Sequence, residues 1–162
     1  NVGMVIRTAV GAGADGLLLP TRGGRLVTGE VVRAAAGTVF RLPIVSSGNL
    51  PRDLLHLKSL DYWVYGLDGH GQQSLYEVDW PARCVLVAGH ETTGLRPLVR
   101  RTADALVRIP LAGGLESLNV GVAVGVALFE LSRRRGLSAG SAAPAAARRA
   151  GSSPQTSTAP GP

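Results

Sequence analysis

Cysteine and long apolar runs are scarce in this sequence, and each shortage excludes a class of protein. The single cysteine, Cys84, cannot form an internal disulfide bond, and a lone thiol fits a reducing compartment. The most apolar stretch, residues 120–129, is shorter than the roughly 18 residues of a membrane-spanning helix, so we expect a soluble protein with no membrane partner. The histidines and this cysteine lack the spacing of a zinc site, so no metal is expected.

Lysine is almost absent, so arginine carries nearly all of the positive charge. Lysine plus arginine number 17 against 11 aspartate plus glutamate, the net charge is +6, and Lys58 is the single lysine. Arginine presents a planar fork of donors that matches phosphate, so a polyanionic partner such as RNA is one interpretation. A solvated basic surface explains the charge more simply, and charge alone favours that second interpretation.

The composition divides the chain into a globular domain, residues 1–135, and a tail, residues 136–162. The tail is rich in alanine, serine, proline and glycine and has no large apolar residue after Leu137, which predicts disorder. A domain of this size buries roughly two-thirds of the surface that its unfolded chain exposes. Because the sequence begins with Asn1 and not with methionine, we expect a fragment or a processed product.

Helical and strand-like patterns alternate along the globular domain. Short apolar runs predict strands at residues 17–19, 42–45, 62–65, 84–88 and 105–109. Helical patterns predict helices at residues 1–13, 29–37, 51–57, 95–102 and 120–135. Strands interleaved with helices predict an α/β fold with a mostly parallel sheet and flanking helices.

The last predicted helix is unusual because residues 120–129 are apolar on every side. Such a helix is expected to be buried all round, in a large core or against a second subunit. Gly121 and Gly125 lie four residues apart on one face, and each costs the helix about 1 kcal/mol relative to alanine. Close approach of another backbone would compensate, either in a homodimer or within the same chain.

Gly11, Gly13 and Gly16 match the G-x-G-x-x-G pattern of dinucleotide-binding proteins, but in the wrong context. In that site the glycines follow a strand and open a helix whose N-terminus faces a pyrophosphate. Here they close a predicted helix and lead into a predicted strand, so we interpret them as a helix end and a turn. The sequence also lacks the P-loop pattern and the G-x-S-x-G pattern of many hydrolases.

Two loops of the globular domain are expected to form a pocket. In an open parallel sheet, ligands bind at the carboxyl ends of the strands. Gly89 follows the predicted strand at 84–88, and residues 110–114 follow the predicted strand at 105–109. We therefore expect the two loops to converge on one ligand site.

Three polar residues near this pocket also have a purely structural interpretation. Ser117 or Asn119 would cap the last helix by offering an oxygen to its free N–H groups, and Glu91 would cap the helix at 95–102. For each residue taken singly, the capping interpretation is the simpler one.

Taken together, however, these segments resemble the three motifs of the SpoU (TrmH-like) RNA ribose 2′-O-methyltransferases. The resemblance is carried, in order and spacing, by NVGMVIRTAVGAGADGLLLP, LVAGHETTGLRPLV and ALVRIPLAGGLESLNVGVAVGVALFEL. It extends over nearly all of residues 1–135, and its most specific phrase is IPLAGGLESLNV. That phrase is most similar to the branch that methylates a guanosine ribose in large-subunit, 23S ribosomal RNA.

The resemblance implies a particular fold and assembly. Members of this family have an α/β-knot (SPOUT-type) fold, in which S-adenosylmethionine binds in a deep trefoil knot and two subunits of a homodimer build each active site. They usually have one more strand and an aspartate-proline turn just before the first motif, and often an RNA-binding domain before that. This sequence starts after both, so the first strand is expected to be missing.

By motif position, the resemblance implies a set of catalytic residues, which are Asn1, Arg7, Glu91, Ser117 and Asn119. A ribose 2′-hydroxyl attacks the sulfonium methyl in line, and Arg7 is expected to anchor a phosphate and stabilise the developing alkoxide. A guanidinium is effectively always protonated, so we do not assign it as a general base. Asn1 is expected to orient Arg7 or the ribose, and Glu91 to hold the arginine or the loop.

The resemblance also implies which residues contact the cofactor, S-adenosylmethionine: the backbone at Gly89, Ile109 and Leu118, with Asn119 beside them. Two positions depart from the family pattern. Thr92 stands where a glycine usually follows the motif glutamate, and Gly121 stands where a serine is usual. A side chain at position 92 is expected to alter a backbone that approaches the cofactor.

The function that the resemblance implies is methyl transfer from S-adenosylmethionine to a guanosine 2′-hydroxyl of 23S ribosomal RNA, in the cytoplasm. Three alternatives stay open. Transfer RNA is an alternative substrate for the same chemistry, and an antibiotic-resistance methylase would also use that chemistry. A non-catalytic RNA-binding or assembly protein would keep the same fold.

Overall fold

The structure, a computed structural model, describes residues 1–21, 27–90 and 92–136. The helices within these ranges are α1 (Val2–Gly11), α2 (Gly29–Ala34), α3 (Leu50–Ser59), α4 (Pro97–Thr102) and α5 (Val120–Arg134). The strands are β1 (Leu17–Pro20), β2 (Ile44–Ser47), β3 (Trp63–Leu67), β4 (Gln73–Ser74), β5 (Cys84–Val87) and β6 (Ala105–Arg108). Every predicted helix and strand is present, with shifts of a few residues at the ends. The predicted tail lies outside the described residues from position 137 onward.

Local sequence signals explain several of the helix ends. The side chain of Asn49 accepts a hydrogen bond from the Arg52 N–H at the start of α3, where Pro51 has no N–H to satisfy. Helix α1 ends at Gly11, and Gly13 has a φ of +75°, as the interpretation of the glycine pattern requires. The sequence patterns miss a 3₁₀ turn at Thr38–Arg41 and the two-residue strand β4.

The strands form two parallel sheets. One sheet has the order β4-β6-β3-β5, and the other pairs β1 with β2. In the larger sheet Tyr65 of β3 lies opposite Leu86 of β5 on one side and Ala105 of β6 on the other. The strands are all parallel within these sheets, so their carboxyl ends meet at one edge of each sheet.

Helices cover both faces of the larger sheet, as parallel sheets require. On β3 the buried Val64 packs with α3 and α4 residues such as Leu54 and Val99, whereas the adjacent Tyr65 packs on the opposite face with Val107. Val126 of α5 contacts that second cluster. The alternation of β3 side chains therefore divides the core into two layers.

Helix α5 packs along α1 of the same chain. A Cβ placed on Gly121 would lie 2.8 Å from Met4 Cε, and one placed on Gly125 would lie 3.5 Å from Thr8 Cγ2. The two glycines therefore serve packing within the chain, which was one of the two predicted alternatives. Within one chain α5 is not buried all round, because the apolar residues Val122 and Phe129 are 48% and 53% exposed, so burial of this face against a second subunit stays a prediction.

None of the helices in the described part of the chain combines the length and the apolar character that crossing a membrane requires.

Candidate active site

An open cleft of about 400 Å³ lies at the carboxyl ends of β3, β5 and β6. Its walls come from residues 67–70 at the end of β3, residues 88–90 and 92–95 after β5, Arg100 of α4, and Ile109, Leu111 and residues 116–118 after β6. The start of α5 completes it through Val120 and Ala123. The predicted convergence of two strand-end loops is confirmed, and the loop after β3 forms a third wall.

The loop after β5 folds back on itself so tightly that Gly89 cannot carry a side chain. His90 and Gly94 exchange two backbone hydrogen bonds of 2.9 and 2.8 Å, and Gly94 has a φ of +62°. A Cβ on Gly89 would lie 2.1 Å from the Gly94 carbonyl carbon and 2.4 Å from the Leu95 nitrogen. The cleft is consequently lined here by main chain, which can approach a ligand closely.

Thr92 fits this loop without backbone strain. Among the described residues other than glycine, only Ala36 and Asp61 have a positive φ, so position 92 does not need the left-handed freedom of glycine. Its side chain pairs with His90 instead, with 3.1 Å between Thr92 Oγ1 and His90 Nδ1. The departure from the family pattern is therefore accommodated by a local hydrogen bond.

The loop after β3 is held by an ion pair inside the cleft. Nη1 of Arg100 on α4 donates to Oδ2 of Asp68 at 2.7 Å, and the His70 N–H donates to Oδ1 at 2.9 Å. The Asp68 side chain is only 9% exposed. A Cβ on Gly69 would approach the Glu116 carbonyl oxygen to 3.3 Å, so this loop also lies against the segment after β6.

Asn119 links the start of α5 to the start of α1. Its Oδ1 accepts hydrogen bonds from the N–H groups of Gly121 at 2.9 Å and Val122 at 3.4 Å. Its Nδ2 donates to Oδ1 of Asn1 at 3.1 Å. Asn119 is therefore the helix cap that one interpretation predicted, and the same side chain brings two predicted site residues together.

The structure assembles part of the predicted site within one chain. Four predicted residues line the cleft, namely Gly89, Ile109, Ser117 and Leu118. Asn1 and Asn119 meet beside it, since Asn119 lies between two cleft-lining residues. Arg7 is exposed on α1 and is not among the residues that line the cleft of its own chain. Glu91 lies outside the described residues.

Sequence reasoning missed Asp68 and Arg100. They lie 32 positions apart and meet only because β3 is central in its sheet and α4 follows β5. One signal was available: Asp68 begins the polar sequence DGHG directly after a buried strand, which is the position where a ligand loop is expected.

A parallel α/β sheet with a cleft at the carboxyl ends of its strands defines the class of α/β proteins that bind a small ligand at that edge. Within that class, residues 1–129 match the model of the SpoU rRNA Methylase family. The chain belongs to this family, and the resemblance stated from the sequence motifs is confirmed.

The curated relatives that the chain matches include methyltransferases of 23S ribosomal RNA. The chain is 42% identical over 137 residues to the 23S rRNA (guanosine-2′-O-)-methyltransferase RlmB of Xylella fastidiosa, covering 85% of this chain and 55% of that protein. It is 43% identical over 135 residues to the RlmB of Xanthomonas axonopodis pv. citri, with coverages of 83% and 54%. The chain thus spans about half the length of the curated relatives it matches.

Solved structures confirm the α/β fold with mostly parallel sheets. The SpoU methyltransferase AviRb of Streptomyces viridochromogenes, in complex with AdoMet, superposes with a TM-score of 0.78 at 29% identity, over 84% of this chain and 53% of that one. The AdoMet-bound rRNA methyltransferase of Sinorhizobium meliloti gives a TM-score of 0.75 at 36% identity, over 85% and 52%.

Proposed function

We propose that this chain is the methyltransferase part of an S-adenosylmethionine-dependent RNA 2′-O-methyltransferase that acts on a guanosine of 23S ribosomal RNA. The family match over residues 1–129 carries the proposal. The names of the RlmB relatives support the guanosine and the RNA class. An enzyme of this kind acts where ribosomes are assembled, so we place it in the cytoplasm.

The cleft fits the cofactor that the proposal requires. Its volume of about 400 Å³ lies in the range of small-ligand sites. Leu67, Ile109 and Leu118 offer apolar walls for a nucleoside, and the bare main chain at Gly89 offers N–H and C=O groups for its polar atoms. Bound there, S-adenosylmethionine supplies a methyl group on a sulfonium. The related structures that contain AdoMet support this choice of ligand.

The chain's own residues position the ribose and stabilise its oxygen. The Arg7 guanidinium binds a phosphate and favours the negative charge that develops on the 2′-oxygen. Asn1, held by Asn119, orients the ribose or Arg7, and Ser117 offers a hydroxyl at the cleft wall. Glu91 is assigned to holding the arginine or its own loop.

The proposal includes a homodimer in which Arg7 of one protomer completes the cleft of the other. Two features support it: Arg7 does not line the cleft of its own chain, and α5 exposes the apolar Val122 and Phe129. The proposal also includes the trefoil knot and the strand before Asn1 that the family resemblance implies. It divides the chain into a methyltransferase domain, residues 1–135, and a tail, residues 136–162.

Methyl transfer tests the proposed function directly. The full-length protein is incubated with tritiated S-adenosylmethionine and with 23S ribosomal RNA or transfer RNA from cells that lack the enzyme. We expect label in a single guanosine of 23S RNA, and loss of label, by at least about 100-fold, in Arg7→Ala, with cofactor affinity unchanged in calorimetry.

The other outcomes decide between the alternatives. Label in transfer RNA alone would mean that the substrate is transfer RNA, while the proposed methyl-transfer reaction would stand. Cofactor binding without label in either RNA would favour a non-catalytic RNA-binding protein with this fold. Loss of cofactor binding in Arg7→Ala would show that Arg7 belongs to the cofactor site.

A further inference from the structure

Arg100 is the only arginine or lysine among the described residues that line the cleft. The other charged or titratable side chains there are Asp68, His70, His90 and Glu116. Among the described residues of the cleft, Arg100 is therefore the side chain best suited to pair with an anionic group of a ligand.

Asp68 holds Arg100 in place and leaves most of its donors available. The carboxylate is nearly buried, and it takes one hydrogen bond from Arg100 and one from the His70 N–H. A guanidinium has five N–H donors, and within the described part of the chain only one of those of Arg100 is used. The Arg100 side chain is 45% exposed, so the remaining donors are accessible from the cleft.

Both members of the Arg100–Asp68 pair are attached to well-packed parts of the fold. Arg100 belongs to α4, whose adjacent Val99 is buried in the core, and Asp68 donates its backbone N–H to the Val107 carbonyl of β6. A guanidinium that is already oriented loses little conformational entropy when it binds an anion.

We propose that Arg100 binds the carboxylate of the amino-acid end of the methyl donor, and that Asp68 is the positioning residue that aims it. This inference rests on the proposed function. S-adenosylmethionine carries one carboxylate and no phosphate, and a planar guanidinium matches a carboxylate through paired N–H···O bonds. The adenosine end then occupies the apolar and main-chain part of the cleft.

Two nucleosides that differ at this end test the proposal. S-adenosylhomocysteine keeps the amino-acid carboxylate, and 5′-methylthioadenosine lacks it. Their affinities for the full-length protein are measured by calorimetry. In Arg100→Gln we expect about 10- to 100-fold weaker binding of S-adenosylhomocysteine, the range of a charge-assisted hydrogen bond, and less than about 2-fold change for 5′-methylthioadenosine.

A matched control is the adjacent Arg101→Gln, because Arg101 is exposed on the same helix and does not line the cleft. It is expected to change neither affinity. Asp68→Asn keeps the shape of the anchor but removes its charge, so we expect a smaller loss that is again confined to S-adenosylhomocysteine.

The remaining outcomes overturn the proposal in different ways. Equal weakening of both nucleosides in Arg100→Gln would show that the ion pair only fixes the loop after β3. Unchanged affinities together with weaker RNA binding in a filter assay would assign Arg100 to an RNA phosphate. If the wild-type protein binds neither nucleoside, the proposed function itself is wrong.

Discussion

Gly89 is the residue at which the backbone of the cleft leaves the least room. We predict that Gly89→Ala lowers the free energy of unfolding by about 2 kcal/mol and weakens S-adenosylhomocysteine binding. The added Cβ would meet the main chain of Gly94 and Leu95, which cannot rotate away as a side chain could. Urea denaturation and calorimetry measure the two effects.

Gly48→Ala is the matched control for this substitution. A Cβ added to Gly48 would have no atom within 4 Å, and Gly48 has no positive φ. The free energy of unfolding of Gly48→Ala is therefore expected to stay within about 0.5 kcal/mol of that of the wild type. An equally mild effect of Gly89→Ala would show that the loop after β5 relaxes freely and does not present a fixed main chain to the ligand.

Single residues of the site were predictable where they follow a strand in sequence. Gly89 and Ile109 come directly after or at the end of apolar runs, so their place at the sheet edge follows from the pattern. The Asp68–Arg100 pair was not predictable, because it depends on the strand order and on which helix covers which loop.

At the scale of elements, the start of α5 combines a structural and a functional role in one side chain. We predict that Asn119→Ala lowers the free energy of unfolding by about 1 kcal/mol, because two N–H groups of α5 lose their acceptor. Asn119→Asp keeps the acceptor and loses the Nδ2 donor to Asn1, so stability stays near that of the wild type while methyl transfer falls at least about 10-fold.

Comparing the two variants separates capping from catalysis. Urea denaturation reports the cap, and the methyl-transfer rate reports the contact with Asn1. Full activity in Asn119→Asp would mean that the Asn1–Asn119 contact only joins two helices.

A group of ion pairs at the end of α5 makes the stability of the protein depend on pH. Arg133 and Arg134 donate hydrogen bonds to the Glu130 carboxylate and lower its pKa from 4.5 to about 2. Because the folded pKa is below the unfolded one, the contribution of Glu130 is complete above pH 4.5 and disappears as the pH falls towards 2. We predict that Glu130→Gln costs only about 1 kcal/mol at pH 7, since the arginines are 66% and 43% exposed.

Chemical denaturation of both proteins between pH 7 and pH 2.5 checks this sign. The difference in free energy of unfolding is expected to shrink as the pH falls below 4.5, the ordinary pKa of the carboxyl. A difference that grows in acid would mean that Glu130 stabilises the protein in its protonated form.

Elements were predictable when they were long. Residues 120–134 show a helix by their length and their lack of proline, whereas β4 has two residues, Gln73 and Ser74, and exists only through its pairing with β6. The face of α5 that α1 covers also needed the structure, because an all-apolar helix does not indicate which side is buried.

For the whole molecule, the exposed position of Arg7 leads to a test of shared sites. In a twofold-symmetric dimer that places Arg7 at the partner's cleft, each active site takes Arg7 from one protomer and Asn119 from the other. We predict that Arg7→Ala and Asn119→Asp, each deficient alone, regain activity when they are unfolded together and refolded as a mixture.

The recovered activity has a definite size. Half of the dimers in an equal mixture are mixed, and each mixed dimer has one site in which both residues are intact, so about a quarter of the wild-type rate is expected. Each variant refolded alone is the control, and size-exclusion chromatography confirms that the mixture is dimeric. A mixed dimer with no more activity than the two variants alone would contradict a site built from two protomers, because Arg7 would then have to act on the cleft of its own chain.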